Sequence, residues 1–431
     1  MTRDLIQKGI REIWASLDDS QRRQLFSELK PLDAEELFPE LAAPEQVELL
    51  EAMPAPERRG WLRLLAPDDA ADLVQCQSEY LGLLDEPIRL EVEALLAYAE
   101  DQAGGLMSPR FARLRAEMTA DQAITYLRRQ PLGSYETIYV LYVLDSEQCL
   151  LGVVSLRDLM SAGPEVLVAQ LMNSRPVTSP PGLDQEKLIR LFADHDLNSI
   201  PIVDADGVMQ GIVTIDDIVD VVEEEATEDI QKIGGMEALE APYLRAGFGD
   251  MLRKRGGWLT ALFLGEMLTA TAMGHYEDEI SRAVVLALFV PLIISSGGNS
   301  GSQATTLVIR AMALGEVRLS DWWRVARREL AAGLCLGLLL GAVGLLRILL
   351  WQQVFHTYGD HFWRIGVTVA FSLVGVVMFG TLSGSMLPFV LRRVGFDPAS
   401  ASAPFVATLV DVTGLVIYFS VAQVVLKGVL L

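Results

Sequence analysis

From Trp258 to Leu426 the chain returns five times to an apolar run, with short polar or charged connections between. A bilayer crossing takes about 20 such residues, and a water-soluble globule has no use for so many in succession. The runs extend from Trp258 to about Met273, Ala283 to Ser295, Leu330 to Leu350, Ile365 to Val390 and Pro404 to Leu426. They predict five membrane spans. Lys and Arg collect on the cytoplasmic side of a membrane, and they orient these spans. Arg253, Lys254 and Arg255 hold the start of the first span inside, and the acidic connection HYEDEISR then lies outside. Arg318, Arg324, Arg327 and Arg328 lie inside, the His356–His361 loop with Arg364 outside, and Arg392 and Arg393 inside again. The N-terminus is then cytoplasmic and the C-terminus outside. Trp258, Trp322, Trp323, Trp351 and Trp363 fall at the predicted span edges, where an aromatic belt forms.

The residues before these spans have the opposite character. Positions 1–245 hold 21 basic and 46 acidic residues, a net of −25, while the rest hold 14 basic and 11 acidic, a net of +3, together −22. So acidic a soluble half excludes nucleic acid, whose phosphates need a basic face. It favours cations as ligands or counter-ions. Cys76, Cys149 and Cys335 form no CxxC or disulfide framework, and the four histidines have no paired spacing, which argues against zinc. The opening MTRDLIQKGIREIW has no apolar signal-peptide core. It places the acidic half in the reducing cytoplasm. No P-loop, nucleophile elbow or HExxH is present, so nothing suggests an enzyme.

Three features of the apolar half exceed what lipid anchoring needs. Asp411 lies seven residues beyond Pro404, roughly 10 Å into the last span at 1.5 Å per residue. A carboxylate there costs about 2.5–3.5 kcal/mol on insertion scales, so it should face a cavity or a partner and mark an ion path; the alternative is a protonated packing residue. The run SSGGNSGSQATT, Ser295 to Thr306, is expected to break the second span with non-helical backbone. Such backbone survives at membrane depth only where it lines water or is buried in protein; the alternative is an interfacial turn. Gly298 and Asn299 within it are pore-lining candidates. Glu266 sits mid-way along the first span and is a third. Arg347, near the outer end of the third span, is expected to snorkel. Carboxylates, amides, hydroxyls and carbonyls are hard oxygen ligands. One Asp per chain suits Mg²⁺, which keeps several waters and takes one or two carboxylates, and a symmetric dimer would bring two copies of Asp411 to one axis.

Positions 1–102 read as short helices divided by Pro31, Pro39, Pro44, Pro54, Pro56, Pro67 and Pro87, spaced like a small solenoid or bundle. Positions 103–223 hold an internal repeat: LMSPRFARLRAEMTADQAITYLRR answers LMNSRPVTSPPGLDQEKLIRLFAD, and GVVSLRDLM answers GIVTIDDIV. The offset changes from 65 to 59 in the loop around Pro131–Glu136. Each copy is expected to run strand, helix, two strands, helix. The repeat resembles a pair of cystathionine-β-synthase (CBS) domains. That resemblance implies that Ser155 with Asp158, and Thr214 with Asp217, can hold a nucleotide ribose such as that of ATP. Helix capping uses the same residues equally well, and Leu197 stands where an aromatic would stack on adenine. Residues 224–256 form an acidic-to-basic connector, expected to be helical.

In order, a helical N-domain (1–102), the CBS pair (103–223), the connector (224–256) and five spans (257–431) resemble the MgtE family of magnesium channels from end to end. AGGLMSP, EEEATEDIQKIGG, SSGGNSGSQATTLVIRAMALGE and LPFVLRRVGFDPASASAPFVATLVDVTGLVIY carry the resemblance. It implies a multi-pass protein of the cytoplasmic (inner) membrane, and a homodimer with a pore between its membrane halves. Asp411 matches the aspartate that holds hydrated Mg²⁺, and the connector matches a plug helix that closes the pore at high cytoplasmic Mg²⁺. Asp206, Asp216, Glu237, Glu240 and Asp397 stand at positions resembling the regulatory Mg²⁺ sites. Ala403, where a polar residue such as Asn is expected, the short N-domain and Glu266 depart from the pattern. The expected function is Mg²⁺ uptake gated by cytoplasmic Mg²⁺. The alternatives are an H⁺- or Na⁺-coupled secondary transporter and a membrane-anchored nucleotide sensor, the last leaving Asp411 unexplained.

Overall fold

The computed structural model describes residues 13–14, 17–130, 135–239, 243 and 246–427. Expectations for the 131–134 loop and for Glu240 lie outside them. The chain divides into two compact units, Met1–Glu223 and Glu224–Leu431.

The first unit opens with helices α1 (Asp19–Glu28), α2 (Pro31–Leu37), α3 (Ala43–Ala52), α4 (Ala55–Leu62), α5 (Pro67–Cys76) and α6 (Glu86–Leu95). All but α1 carry proline in the first turn, where its missing N–H has no helical partner to lose. The prolines start the helices as well as divide them. Phe38, Leu50, Leu73, Tyr80 and Val92 are buried in a core that continues into Leu188, Phe192, Ile200 and Val213 of the second repeat.

In the first repeat, β1 (Phe111–Leu114) and α7 (Ala120–Arg129) lead to β2 (Thr137–Leu144), β3 (Leu150–Ser155) and the short α8 (Leu156–Ser161). β2 runs parallel to β1 and antiparallel to β3. The second repeat begins with α9 (Gln185–His195), β4 (Ser199–Val203) and β5 (Met209–Thr214), the strands pairing antiparallel. Its expected opening strand is reduced to one parallel bridge, Ser179 to Ile202. Helix α10 (Ile215–Ile233) follows β5 directly.

The connector is not one helix. Helix α10 stops at Gly234–Gly235, and the next helix, α11, spans Phe248–His275. Gly235 has φ +76°, and a Cβ there would lie 2.9 Å from the Trp258 indole nitrogen and 3.1 Å from Pro404. Only glycine fits both the left-handed turn and the close approach.

Four further helices are long and apolar enough to cross a membrane, at Val284–Ala313, Leu319–Phe355, Phe362–Val394 and Ala403–Leu426. Their continuous cores are α12 (Val290–Ala313), α13 (Trp322–Phe355), α14 (Phe362–Val394) and α15 (Ala403–Leu426). The first predicted span lies inside α11, which is not among these four. Glu266, Thr260, Thr269, Thr271 and the glycines at 257, 265 and 274 dilute its apolar character.

The Ser295–Thr306 run is helical throughout, contrary to the expected break. Gly297 and Gly301 on α12 interlock with Gly380 and Gly384 on α14, and a Cβ on either of the latter would collide with the carbonyl oxygen of Gly297 or Gly301. Two small-xxx-small faces thus bring the backbones together, a packing that membrane helices use where lipid offers no hydrophobic drive. The Thr305 hydroxyl lies 2.9 Å from the Gly384 carbonyl and stitches the seam. Gly333, Gly337 and Gly341 repeat the device between α13 and α14. Arg347 bonds the Tyr358 hydroxyl at 3.0 Å, with its guanidinium 5.1 Å from the Trp351 ring centre.

Candidate functional site

With one face of α12 committed to the glycine seam, its polar face turns to a cavity. The cavity holds about 370 Å³ and is lined by Glu266 and Thr269 from α11, Ser295, Gly298, Asn299 and Ser302 from α12, and Ala407 and Asp411 from α15, with Pro291 and Ile294. At about 30 Å³ per water this admits on the order of ten waters. The Ser402 hydroxyl caps α15 by accepting from the Phe405 N–H at 3.3 Å. The Trp258 indole donates to the same hydroxyl at 3.3 Å, and Ser302 donates to the Ala403 carbonyl at 3.2 Å. These bonds tie α11 at Trp258 to the start of α15, and that start to α12, and the Asp411 carboxyl, two turns on, enters the cavity. It comes within side-chain hydrogen-bonding reach of Glu266.

The structure therefore gathers four sequence-predicted residues, Asp411, Glu266, Gly298 and Asn299, around one space. Every polar atom offered is oxygen or amide, and no thiol, imidazole or basic group lines it. That donor set suits a hard, partly hydrated cation.

The acids expected at regulatory sites are dispersed. Asp206 is exposed in the β4–β5 turn, Asp216 is exposed in the first turn of α10, and Glu237 is exposed just beyond the glycine turn. Asp397 accepts from Lys232 Nζ at 2.7 Å, and Lys232 also contacts Glu228. Burial opposes the Lys232 charge, but its bonds to Asp397 and Glu228 outweigh that and raise its pKa. Among the described residues no group of three or more His, Cys, Asp or Glu is arranged to hold a metal ion. The Lys232 contacts pin the end of α10 to the loop before α15. Lys232→Met should cost on the order of 1 kcal/mol locally, a partly exposed pair being worth little more. Faster chymotryptic cleavage between Ile233 and Phe248 in the full chain is the expected readout, and unchanged cleavage would discount the pin.

Sequence reasoning missed Asp68 and Asp69, at the start of α5, and Glu136 before β2. In the first unit these share a region with Asp216, Asp217 and Asp220. Burial, then Glu136, Asp69 and Asp217, push the Asp68 carboxyl well above the usual range, and its Oδ1 is buried without a hydrogen-bond partner. Burial and Glu136 raise Asp69 to about 6. Asp217 rises to about 7, through burial and its neighbours Asp216 and Glu136, against its bonds to Thr214. Burial also raises Glu136, although Ser108 donates to it at 3.1 Å. In the sequence Pro67-Asp68-Asp69 looks like an ordinary acidic helix start, and only the fold brings Asp217 near. The pairs Ser155–Asp158 and Thr214–Asp217 are closed on themselves at 2.6 Å each. A nucleotide ribose would have to displace those bonds.

Residues 290–421 match a family described as a divalent cation transporter, residues 8–101 the MgtE intracellular N domain, and residues 103–165 and 168–224 CBS domains. The chain is 43% identical to the magnesium transporter MgtE of Thermus thermophilus, over 84% of this chain and 80% of that protein. It is 35% identical to the magnesium transporter MgtE of Enterococcus faecalis, over 78% of this chain and 72% of that protein. A crystal structure of the cytosolic domain of the Mg²⁺ channel MgtE in complex with ATP is similar at a TM-score of 0.47 and 38% identity, covering 51% of this chain and 93% of that one. With its helical N-domain, CBS pair and apolar helices around an acidic cavity, the chain belongs to the MgtE family of magnesium transporters.

Proposed function

We propose that the protein is a passive Mg²⁺ pathway whose ion passes through the Asp411 cavity, and that cations bound to its acidic first unit control it. The observation that carries the reading is a carboxylate well inside an apolar helix, opening onto a cavity lined with oxygen ligands. Mg²⁺ uptake into proteoliposomes containing the purified chain tests it directly. Uptake that needs an H⁺ or Na⁺ gradient would favour coupled transport instead.

Two copies of the chain complete this reading. Glu266, Ser295 and Asn299 are exposed in a single chain, although they line the Asp411 cavity beside the apolar helices. Polar groups facing lipid are costly, so a second copy covers them and the paired cavities form one pore. On this reading α11 also crosses, the first unit lies on the cytoplasmic side and the C-terminus outside, an orientation that the basic connections support. The functional divisions are 1–102, 103–223, 224–256 and 257–431.

Control follows from like charges held together. Two carboxylates about 4 Å apart at an effective dielectric of 20 repel by about 4 kcal/mol. The like charges of Asp68, Asp69, Glu136, Asp216 and Asp217 therefore favour a proton or a hydrated cation held nearby rather than ligated by three of them, as do, to a smaller degree, Asp206, Glu237, Asp397 and Glu240, the last outside the described residues. Mg²⁺ bound there favours the compact arrangement and shifts the population toward a closed pathway.

The pH dependence has a definite sign. A carboxyl with a raised folded pKa stabilises the fold fully below its unfolded value near 4, and that contribution is lost as pH climbs through the folded value. For Asp69 and Asp217 the loss runs through about 6 and about 7. In the presence of EDTA, the first unfolding transition of the full chain should fall several degrees between pH 5 and pH 8. Millimolar Mg²⁺ should restore most of it at pH 8 and little at pH 5. Equal Mg²⁺ shifts at both pH values would leave only a solvated acidic surface.

A further inference from the structure

We propose that Glu266 is the second carboxylate of the ion site, set beside Asp411 so that the pathway prefers divalent over monovalent cations. The inference rests on the reading of the Asp411 cavity as the ion path.

Its geometry begins one residue earlier. A Cβ at Gly265 would lie 3.0 Å from the Thr408 methyl, a tight contact, so glycine there eases the close approach of α11 to α15. The approach puts Glu266, the next residue, within hydrogen-bonding reach of Asp411, one turn beyond Thr408. A turn further along α11, the Thr269 hydroxyl lines the same cavity and is buried without a partner. The Asn299 amide reaches Ser295 only at 3.4 Å and is held loosely. Two carboxylates, an unpartnered hydroxyl and a loosely held amide thus converge where no lysine, arginine or histidine lines the space.

Charge decides what such a site holds. One dication neutralises two carboxylates in contact, whereas one monovalent ion leaves an excess negative charge between them. A lone Asp411 carboxylate is matched by one Na⁺ or K⁺, whereas Mg²⁺ beside it would keep a surplus positive charge. Within each chain Glu266 doubles the negative charge that faces the ion, in addition to what a second copy's Asp411 brings, and so favours a dication over a monovalent ion. Mg²⁺ can also keep much of its hydration there, with the waters bonded to the hydroxyl and amide.

The test measures Mg²⁺ uptake by proteoliposomes containing the full chain, with and without competing Na⁺. Glu266→Gln should raise the half-saturating Mg²⁺ at least about tenfold, by more than it lowers the maximal rate, and Na⁺ should now inhibit. Glu266→Asp keeps the charge on a shorter stem and should lie between Gln and wild type. A packing role would not be rescued in that order. If the Gln variant is not recovered from membranes, Glu266→Met reads the same quantity. Half-saturation and Na⁺ competition equal to wild type in either uncharged variant would overturn the assignment. Asp411→Asn, assayed alongside, separates the two ideas. If it is inactive while Glu266→Gln behaves as wild type, the cavity reading stands and only the role of Glu266 falls.

Discussion

Replacing Asp411 by Asn should abolish Mg²⁺ uptake, by on the order of a hundredfold or more, and leave a folded protein. The substitution keeps shape and hydrogen-bonding capacity and removes one charge from a cavity that offers only Glu266 as another. A dication loses its attraction to a carboxylate about 4 Å away, worth about 4 kcal/mol per unit of ionic charge at an effective dielectric of 20. Even half of that exceeds a factor of ten in occupancy. The fold should survive, because neighbouring Val410, Gly414 and Leu415 supply the packing of this part of α15. Unchanged melting and elution with lost uptake is the expected pair of results. Uptake at the wild-type rate would remove Asp411 from the pathway.

The second large effect concerns the seam that carries the cavity. Gly380→Val should prevent the membrane unit from assembling. The new side chain would meet the backbone oxygen of Gly297, and backbone cannot rotate away as a side chain can. Overpacking of an ordinary core costs about 1–3 kcal/mol. Here α12 and α14 must also separate, and the contacts of Gly301, Gly384 and Thr305 go with them. Gly249→Ala is the matching control, since nothing lies within 4 Å of its added methyl and it sits early in α11. It should be neutral, or stabilising by up to about 1 kcal/mol. Recovery of monodisperse Gly380→Val at wild-type yield and melting temperature would show that the seam is dispensable.

That seam also marks where the sequence misleads. Small polar residues in a soluble protein signal a turn, and Ser295–Thr306 was expected to break the helix for that reason. Inside a membrane the same residues serve close helix contact, and the four-residue spacings 297–301 and 380–384 carried that message. The apolar runs of the last four spans and the CBS repeat were legible because each is written in local sequence. Asp411 was legible because a carboxylate in an apolar run has few other uses. The connector was half legible: its charge gradient is real, but Gly234–Gly235 ends the helix, and the need for glycine appears only when Trp258 and Pro404 are seen against it. The Asp68, Asp69, Glu136 and Asp217 cluster was not legible. Its three parts lie far apart in the chain; Asp68, Asp69 and Asp217 look like ordinary helix starts, and Glu136 like a residue before a strand. The Lys232–Asp397 bond joins residues 165 positions apart and was equally out of reach.

On the proposed reading, glycine packing shapes the pathway, Asp411 and Glu266 charge it, and acids that a cation can quiet control it. The most direct test of permeation is Mg²⁺ current through the purified full chain in a planar bilayer, with no H⁺ or Na⁺ gradient. The account predicts a current driven by voltage and the Mg²⁺ gradient alone, which falls as Mg²⁺ facing the first unit rises into the millimolar range. Absence of current, with Mg²⁺ flux appearing only when an H⁺ or Na⁺ gradient is imposed, would contradict it.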